Sequence, residues 1–225
     1  MFKRVKTGIQ ALDSLMGGGF VEGSANLVTG ETGSGKTLFA AQFVWHGLQK
    51  GEPGVFVTLE ENLNDIKEDA RAFGWDFEKY EKKGLLKLLY HDPAQVNNIS
   101  TVVMNELDKL RATRIAIDSI TVMALNIGNV AQVRRKLFSL INALKSQKGV
   151  TSVITSEIPE GSKGLSRFSV EEYVVDSIIL LNYLGVGDEY NRSLAIRKMR
   201  RTNHGKDVYP FEITARGLVV KKASM

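Results

Sequence analysis

The sequence predicts an α/β fold: a mainly parallel, helix-covered sheet extended by antiparallel strands at one edge. Two observations predict it. From residue 24 to residue 157, short apolar runs alternate with helical patterns. From residue 176 onward, strand-like runs follow one another without intervening helices. The 225 residues suit one domain spanning 1–225.

The elements follow in order. The segment "TGIQALDSLMGGGF" carries a capping box, Thr7 to Gln10, and places Ile9, Leu12 and Met16 on one helical face. Gly17–Gly19 stop that short helix. "SANLVTG" (24–30) reads as a buried strand, and "KTLFAAQFVWHGLQKG" as a helix ended by Gly51. A second strand, "GVFVTLEE" (54–61), leads into a helix, "LNDIKEDARAFGW", with Ile66 and Ala70 on one face. Then come strand 85–91, helix 100–111 and strand 114–120. A longer amphipathic helix, 130–149, turns Val133, Leu137, Leu140 and Leu144 inward. Strands at 151–157, 176–184, 193–200, 209–214 and 217–222 complete the chain. Periodicity does not give the strand order.

Composition narrows the chemistry. There is no cysteine, so disulfides and thiolate metal sites are excluded. The three histidines, His46, His91 and His204, lack metal-ligand spacing. A net charge of +5 and a pI near 9.3 suit an anionic ligand without specifying nucleic acid. No apolar window is long enough to span a bilayer, and the N-terminus lacks a signal-type apolar core. A cytoplasmic location without a membrane partner is the expectation.

"GETGSGKT", Gly30 to Thr37, fits the P-loop pattern, with a strand before it and a helix after it. Gly33 and Gly35 let the backbone approach an anion closely. The loop N–H groups and the helix N-terminus face the β-phosphate. Lys36 neutralises the β- and γ-oxygens, and the Thr37 hydroxyl ligates Mg²⁺. "RIAIDS" sets Asp118 at the end of a buried strand, where a second metal-positioning carboxylate belongs. Glu60 and Glu61 end the strand after the P-loop helix. Hydrolysis needs one carboxylate to orient or deprotonate water, and strand alternation points these two to opposite faces. The residue pattern does not choose between them.

These residues resemble the KaiC family of RecA-like ATPases along almost the whole chain. The resemblance is carried by "TGIQALDSLMGGGFVEGSANLVTGETGSGKTLFAAQFVWHGL", "TLEENLNDIKEDARAFGWD", "AIDSIT", "VITSE", "VEEYVVDSIILL" and "KMRRTNHGKDVYPFEIT". It implies a RecA-like P-loop core, slow hydrolysis of ATP with Mg²⁺, and a homo-oligomeric, hexameric ring with nucleotide between subunits. Carried over by position, it implies that Gly33, Ser34, Gly35, Lys36, Thr37 and Leu38 bind the phosphates and the edge near the base. Glu60 becomes the first choice for catalysis, supported by Glu61. Lys198, Met199, Arg200, Thr202 and His204 would reach ATP on the adjacent subunit. Three departures stand out. The chain has one P-loop, whereas the cyanobacterial clock protein of that family has two tandem domains. Glu171 and Glu172 stand where that protein's second domain has a Ser-Thr phosphoacceptor pair. Arg201 replaces the usual glycine after "KMR".

From Arg192 to Lys206 the chain has six Lys or Arg residues and no acid. Regular strand alternation predicts that Lys198, Arg200 and Thr202 share a face with Leu194 and Ile196, opposite Arg197, Met199 and Arg201. Such a row suits a triphosphate gripped from outside in a head-to-tail ring. The structural alternative is a charged edge strand that resists aggregation. DNA binding would require the segments 121–132 and 158–169, read as loops, and neither carries a strong basic footprint. The competing functions are a DNA-binding recombination accessory protein and a non-hydrolysing ATP-dependent assembly switch. An unidentified protein partner accompanies the leading reading.

Overall fold

The computed structural model describes residues 2–183 and 191–221. A two-stranded ribbon, β1 (Arg4–Val5) with β2 (Phe20–Val21), flanks helix α1 (Gln10–Leu15). The main sheet uses β3 (Ala25–Gly30), β4 (Gly54–Thr58), β5 (Leu86–Tyr90), β6 (Arg114–Asp118), β7 (Thr151–Glu157), β8 (Ser177–Tyr183), β9 (Arg192–Met199), β10 (Val208–Thr214) and β11 (Gly217–Val220). Its order is β11-β10-β9-β8-β3-β7-β6-β4-β5. The run from β8 to β5 is parallel, and β9, β10 and β11 add antiparallel strands beyond β8. This is the predicted α/β fold. The expected strand ends at Leu184 and Lys222 lie outside the described residues.

Helices cover both faces. Helices α1, α2 (Lys36–Leu48), α3 (Leu63–Ala72) and α4 (Phe77–Lys82) bury one core, around Leu12, Phe39, Phe43, Phe56, Ile66 and Phe77. Helices α5 (Ile99–Leu110), α6 (Ile120–Leu125) and α7 (Val130–Ser146) bury the other, around Val103, Ile117, Leu137 and Leu140. A single turn, α8 (Glu171–Val174), precedes β8. The inward residues expected of α7 are all buried, as are Ile9, Leu12 and Met16.

Three local expectations are corrected, and one helix is new. Thr7 and Gln10 form no capping box. Ile9 is the N-cap, and the Thr7 hydroxyl accepts from the Ile9 N–H (3.0 Å) while donating to Asp13 Oδ1 (2.8 Å). Asp13 wins because it also accepts the Thr7 N–H at 2.8 Å, leaving Gln10 exposed. β4 ends at Thr58, before the glutamates, because the Thr58 hydroxyl accepts the N–H of Glu60 and Glu61 and donates to the Glu61 carbonyl. Segment 121–132 is mostly helix, with Thr121, Met123 and Ala124 buried in α6. Helix α4 was not expected, since six residues carry too little periodicity to read; the Asp76 carboxylate caps it by accepting from Lys79 N–H.

Buried Arg114 clamps α2 to β6. Its Nε donates to Glu52 (2.6 Å), Nη1 donates to the carbonyls of Lys6 and Phe43, and the guanidinium lies 4.6 Å from the Phe43 ring centre. Gly47 makes room, because a Cβ there would stand 2.3 Å from Arg114 Cδ. The helix carrying the P-loop is thereby fixed well away from its N-terminus.

Candidate nucleotide site

The loop from Gly30 to Thr37 joins β3 to α2 at the C-terminal edge of the parallel strands. Gly35 is the N-cap of α2 at φ 101°, and Gly33 has φ 73°, backbone that favours glycine. No side chain caps α2, so the N–H groups of its first turn face outward with no intrahelical partner. Lys36 Nζ donates to the Glu31 carbonyl at 2.9 Å. Ser34 Oγ is buried without a hydrogen-bond partner among the described residues. An anion is the ligand this cradle fits.

Strand order assembles the acids. Asp118 ends β6, two strands from β3, and Thr155 on the intervening β7 donates to its Oδ1. Burial raises the Asp118 pKa, against the hydroxyls of Thr155 and Thr37 and the charge of Lys36. Ser119 Oγ donates to Glu60 Oε1 at 2.6 Å. Burial also raises Glu60, and the charges of Glu157 and Asp118 add to it. Glu61 turns elsewhere: it lines a cavity of about 260 Å³ beside Gly33, Lys36, Thr37, Leu38 and Asp69. Its Oε2 is buried without a partner among the described residues. Burial raises its pKa, and Asp118 and Asp69 push it further. Burial lowers the Lys36 ammonium, against Glu157, Asp118 and Glu60, which hold it up.

The structure thus gathers Lys36, Thr37, Asp118 and Glu60 in one corner, with Glu61 on the adjoining cavity. Ile66, Ala70, Phe73 and Trp75 form that cavity's apolar wall. Sequence reasoning read Ile66 and Ala70 only as a helix face. It also missed Glu157, which pairs in register with Gly30 and supplies a third carboxylate near Lys36. Arg192, Tyr183 and Ile213 were missed as well. Arg192 Nη2 donates to the Gly33 carbonyl at 3.4 Å and its guanidinium lies 4.1 Å from the Tyr183 ring centre. A Cβ on Gly35 would meet Ile213 at 3.6 Å. No local motif marks these residues, which only strand order brings to the loop.

The basic segment lies elsewhere. Ile178 pairs with Lys198 and Ile179 with Ile196, so Arg197 is an extra residue, a β-bulge. The bulge corrects the expected faces. Leu194, Ile196 and Met199 share the core that holds α2, whereas Lys198 follows Ile178 to the α7 side. Lys198 Nζ donates to the carbonyls of Glu172 and Val175, each at 2.8 Å. Burial lowers its pKa and the Arg200 charge adds to that. Arg200 Nη1 approaches Asp176 Oδ1 at 3.5 Å. Met199 is buried, Thr202 Oγ1 accepts from Arg4 Nη1 at 2.8 Å, and His204 Nδ1 lies 2.7 Å from the Gly205 carbonyl. These five residues do not form one row. Arg201, in the position where glycine is usual, adopts φ 61° and sets its guanidinium 5.6 Å from the Phe2 ring centre.

Comparison with known proteins follows the same geometry. The chain matches the ATPase family described as KaiC over residues 5–225. It belongs to the KaiC ATPase family. A UPF0273 protein of Methanopyrus kandleri is 38% identical over 97% of this chain and 92% of its own length. The circadian clock oscillator protein KaiC of Synechococcus elongatus is 38% identical over 96% of this chain, which spans 43% of that protein. The crystal structure of a KaiC-like protein from Pyrococcus horikoshii superposes with a TM-score of 0.89 at 42% identity, covering 99% of this chain and 100% of that one. A KaiC-like ATPase fold of RecA type is therefore established.

Among the described residues, no helix is long and apolar enough to cross a membrane.

Proposed function

We propose that this chain binds ATP with Mg²⁺ at the Gly30–Thr37 loop and hydrolyses it as a head-to-tail ring, hexameric as in the family resemblance. Each subunit lends Lys198 and Arg200 to its neighbour's triphosphate. The observation that carries the reading is the separation of two sets of cations. Lys36 opens α2 just beyond the C-terminal end of β3, among Glu157, Asp118 and Glu60. Lys198 pairs with Ile178 near the N-terminal end of the same parallel strands, on the α7 side. Ile178 is level with Leu27, so three strand steps of about 3.3 Å, roughly 10 Å, separate Lys198 from the level of Gly30, and Arg200, bonded to Asp176 beside Ala25, lies about two steps farther. A side chain from one end does not serve a phosphate at the other, but a neighbouring copy brings the two together.

Lys36 and the first turn of α2 hold the phosphate charge. Thr37 and Asp118 offer hard oxygen ligands, the donor type Mg²⁺ takes. Bound there, the ion would supply positive charge to neutralise the phosphate oxygens. Glu60, oriented by Ser119, is the group that aligns water and accepts its proton. The apolar wall of Ile66, Ala70, Phe73 and Trp75 suits a nucleobase.

Phosphate release tests the reading. Glu60→Gln is expected to slow turnover by about 10²–10⁴-fold with binding of an ATP analogue preserved. Unchanged turnover removes Glu60 from the mechanism. Light scattering that finds only a monomer with and without ATP removes the ring.

A further inference from the structure

Residues 172–176 take hold of Lys198, on β9, and of Arg200, just beyond its end. The carbonyls of Glu172 and Val175, at the end of α8, accept both hydrogen bonds from Lys198 Nζ. Carbonyls at a helix end have no intrahelical donor, so a cation is their natural partner. Asp176, 6% exposed, does more. Its backbone N–H donates to the Ala25 carbonyl (2.8 Å), and its carbonyl accepts from Arg200 N–H (3.0 Å). Its Oδ2 accepts from Ala25 N–H (3.0 Å). One carboxylate thereby ties the start of β3, the end of α7 through Lys145 (2.9 Å), and the Arg200 guanidinium (3.5 Å).

The two ion pairs are unequal. Lys145 holds Asp176 closely and supplies the compensation that a buried carboxylate requires. Arg200 makes a longer contact, and its side chain is 50% exposed. A guanidinium has five donors in a rigid fork, so one edge can be steered while the other faces outward.

We infer that Asp176 is a positioning residue, which aims Arg200, and with it Lys198, at the triphosphate held by the neighbouring subunit. This rests on the trans role proposed above. Asp176 touches neither its own subunit's P-loop nor the reacting atoms. Its effect belongs to the adjacent site.

Mixed rings give the test. Asp176→Asn keeps an acceptor for Ala25 N–H and removes the charge. Alone it is expected to lower the turnover number at least tenfold, with KM for ATP within threefold. Glu60→Gln alone is inactive but offers intact cations. Co-expressed in equal amounts, the two variants should recover about one quarter of wild-type phosphate release, the fraction of random head-to-tail interfaces that join an intact Glu60 to an intact Asp176. Arg200→Ala with Glu60→Gln serves as the reference pair. If the reference pair recovers and the Asp176→Asn pair does not, the positioning role is overturned and the trans reading stands. Failure of both pairs overturns both. Wild-type turnover by Asp176→Asn alone also overturns the inference. Should Asp176→Asn melt below the assay temperature, Asp176→Glu replaces it. That variant keeps the charge, displaces the carboxylate by one methylene, and must meet the same mixing criterion.

Discussion

Lys36 and Lys198 are both partly sequestered lysines whose pKa burial lowers, and they are held in opposite ways. Lys36 bonds a carbonyl five residues away, inside one short motif, and sits among Glu157, Asp118 and Glu60. Lys198 bonds carbonyls 23 and 26 residues away, and Arg200 and Lys145 press on it with like charge. The first is a self-contained cation in acidic surroundings. The second is part of a positive cluster assembled from distant elements, with Asp176 as its near counter-charge.

The largest expected effect would break this comparison directly. Lys36→Ala should weaken binding of an ATP analogue by about 100-fold or more at any protein concentration. Lys198→Ala should leave binding by dilute, unassembled chain within about threefold, because the proposed function puts its partner site on another copy. Calorimetry or fluorescent-nucleotide titration at two protein concentrations checks both. An equal loss for the two variants ends the distinction.

The second tests the bulge. Met199 is buried with Leu194 and Ile196, so Met199→Ala should cost about 2–3 kcal/mol in urea unfolding. Arg197, the exposed extra residue, should tolerate Ala within about 0.5 kcal/mol. Without the bulge Arg197 and Met199 would share the face opposite Leu194 and Ile196, and the two costs would not divide in this way.

The smallest concerns acid. Burial, followed by the charges of Arg114 and Lys50, lowers His46 on α2 from 6.5 to about 4, and its Nε2 is buried without a partner among the described residues. The folded state therefore binds fewer protons there than the unfolded chain. Its stabilising contribution is complete above pH 6.5 and is lost as pH falls to about 4. For Asp176, burial raises the pKa, but the Lys145 and Ala25 hydrogen bonds and the Lys145 and Arg200 charges lower it overall. That contribution holds above the ordinary aspartate value of 3.8 and is lost only as pH falls further. Acid should thus loosen the α2 side first. Since His46 is half-buried, the discounted effect is about 1 kcal/mol, or about 2–4 °C in Tm. His46→Gln should flatten the melting profile between pH 6.5 and 4. An unchanged profile would remove His46 as its cause.

The P-loop was legible because its strand, glycines, lysine and helix are contiguous, so local sterics and the helix N-terminus suffice. Asp118 was legible as a residue, but its donor Thr155 comes from β7, which separates β6 from β3. Alternation does not reach Glu60 and Glu61. The Thr58 turn ends β4 before them, and Ser119 and the α3 cavity then receive one each. Alternation failed across β9 because one inserted residue reverses every face beyond it.

By itself, the sequence determined the α/β class, the phosphate loop and the identity of the acids and cations. Hydrophobic period, glycine conformation and side-chain chemistry are properties of neighbouring residues. Tertiary structure decided which acids meet at Lys36, and which face and end of the sheet carries Lys198 and Arg200. Those depend on strand order and on a bulge, set by packing between residues far apart in the chain.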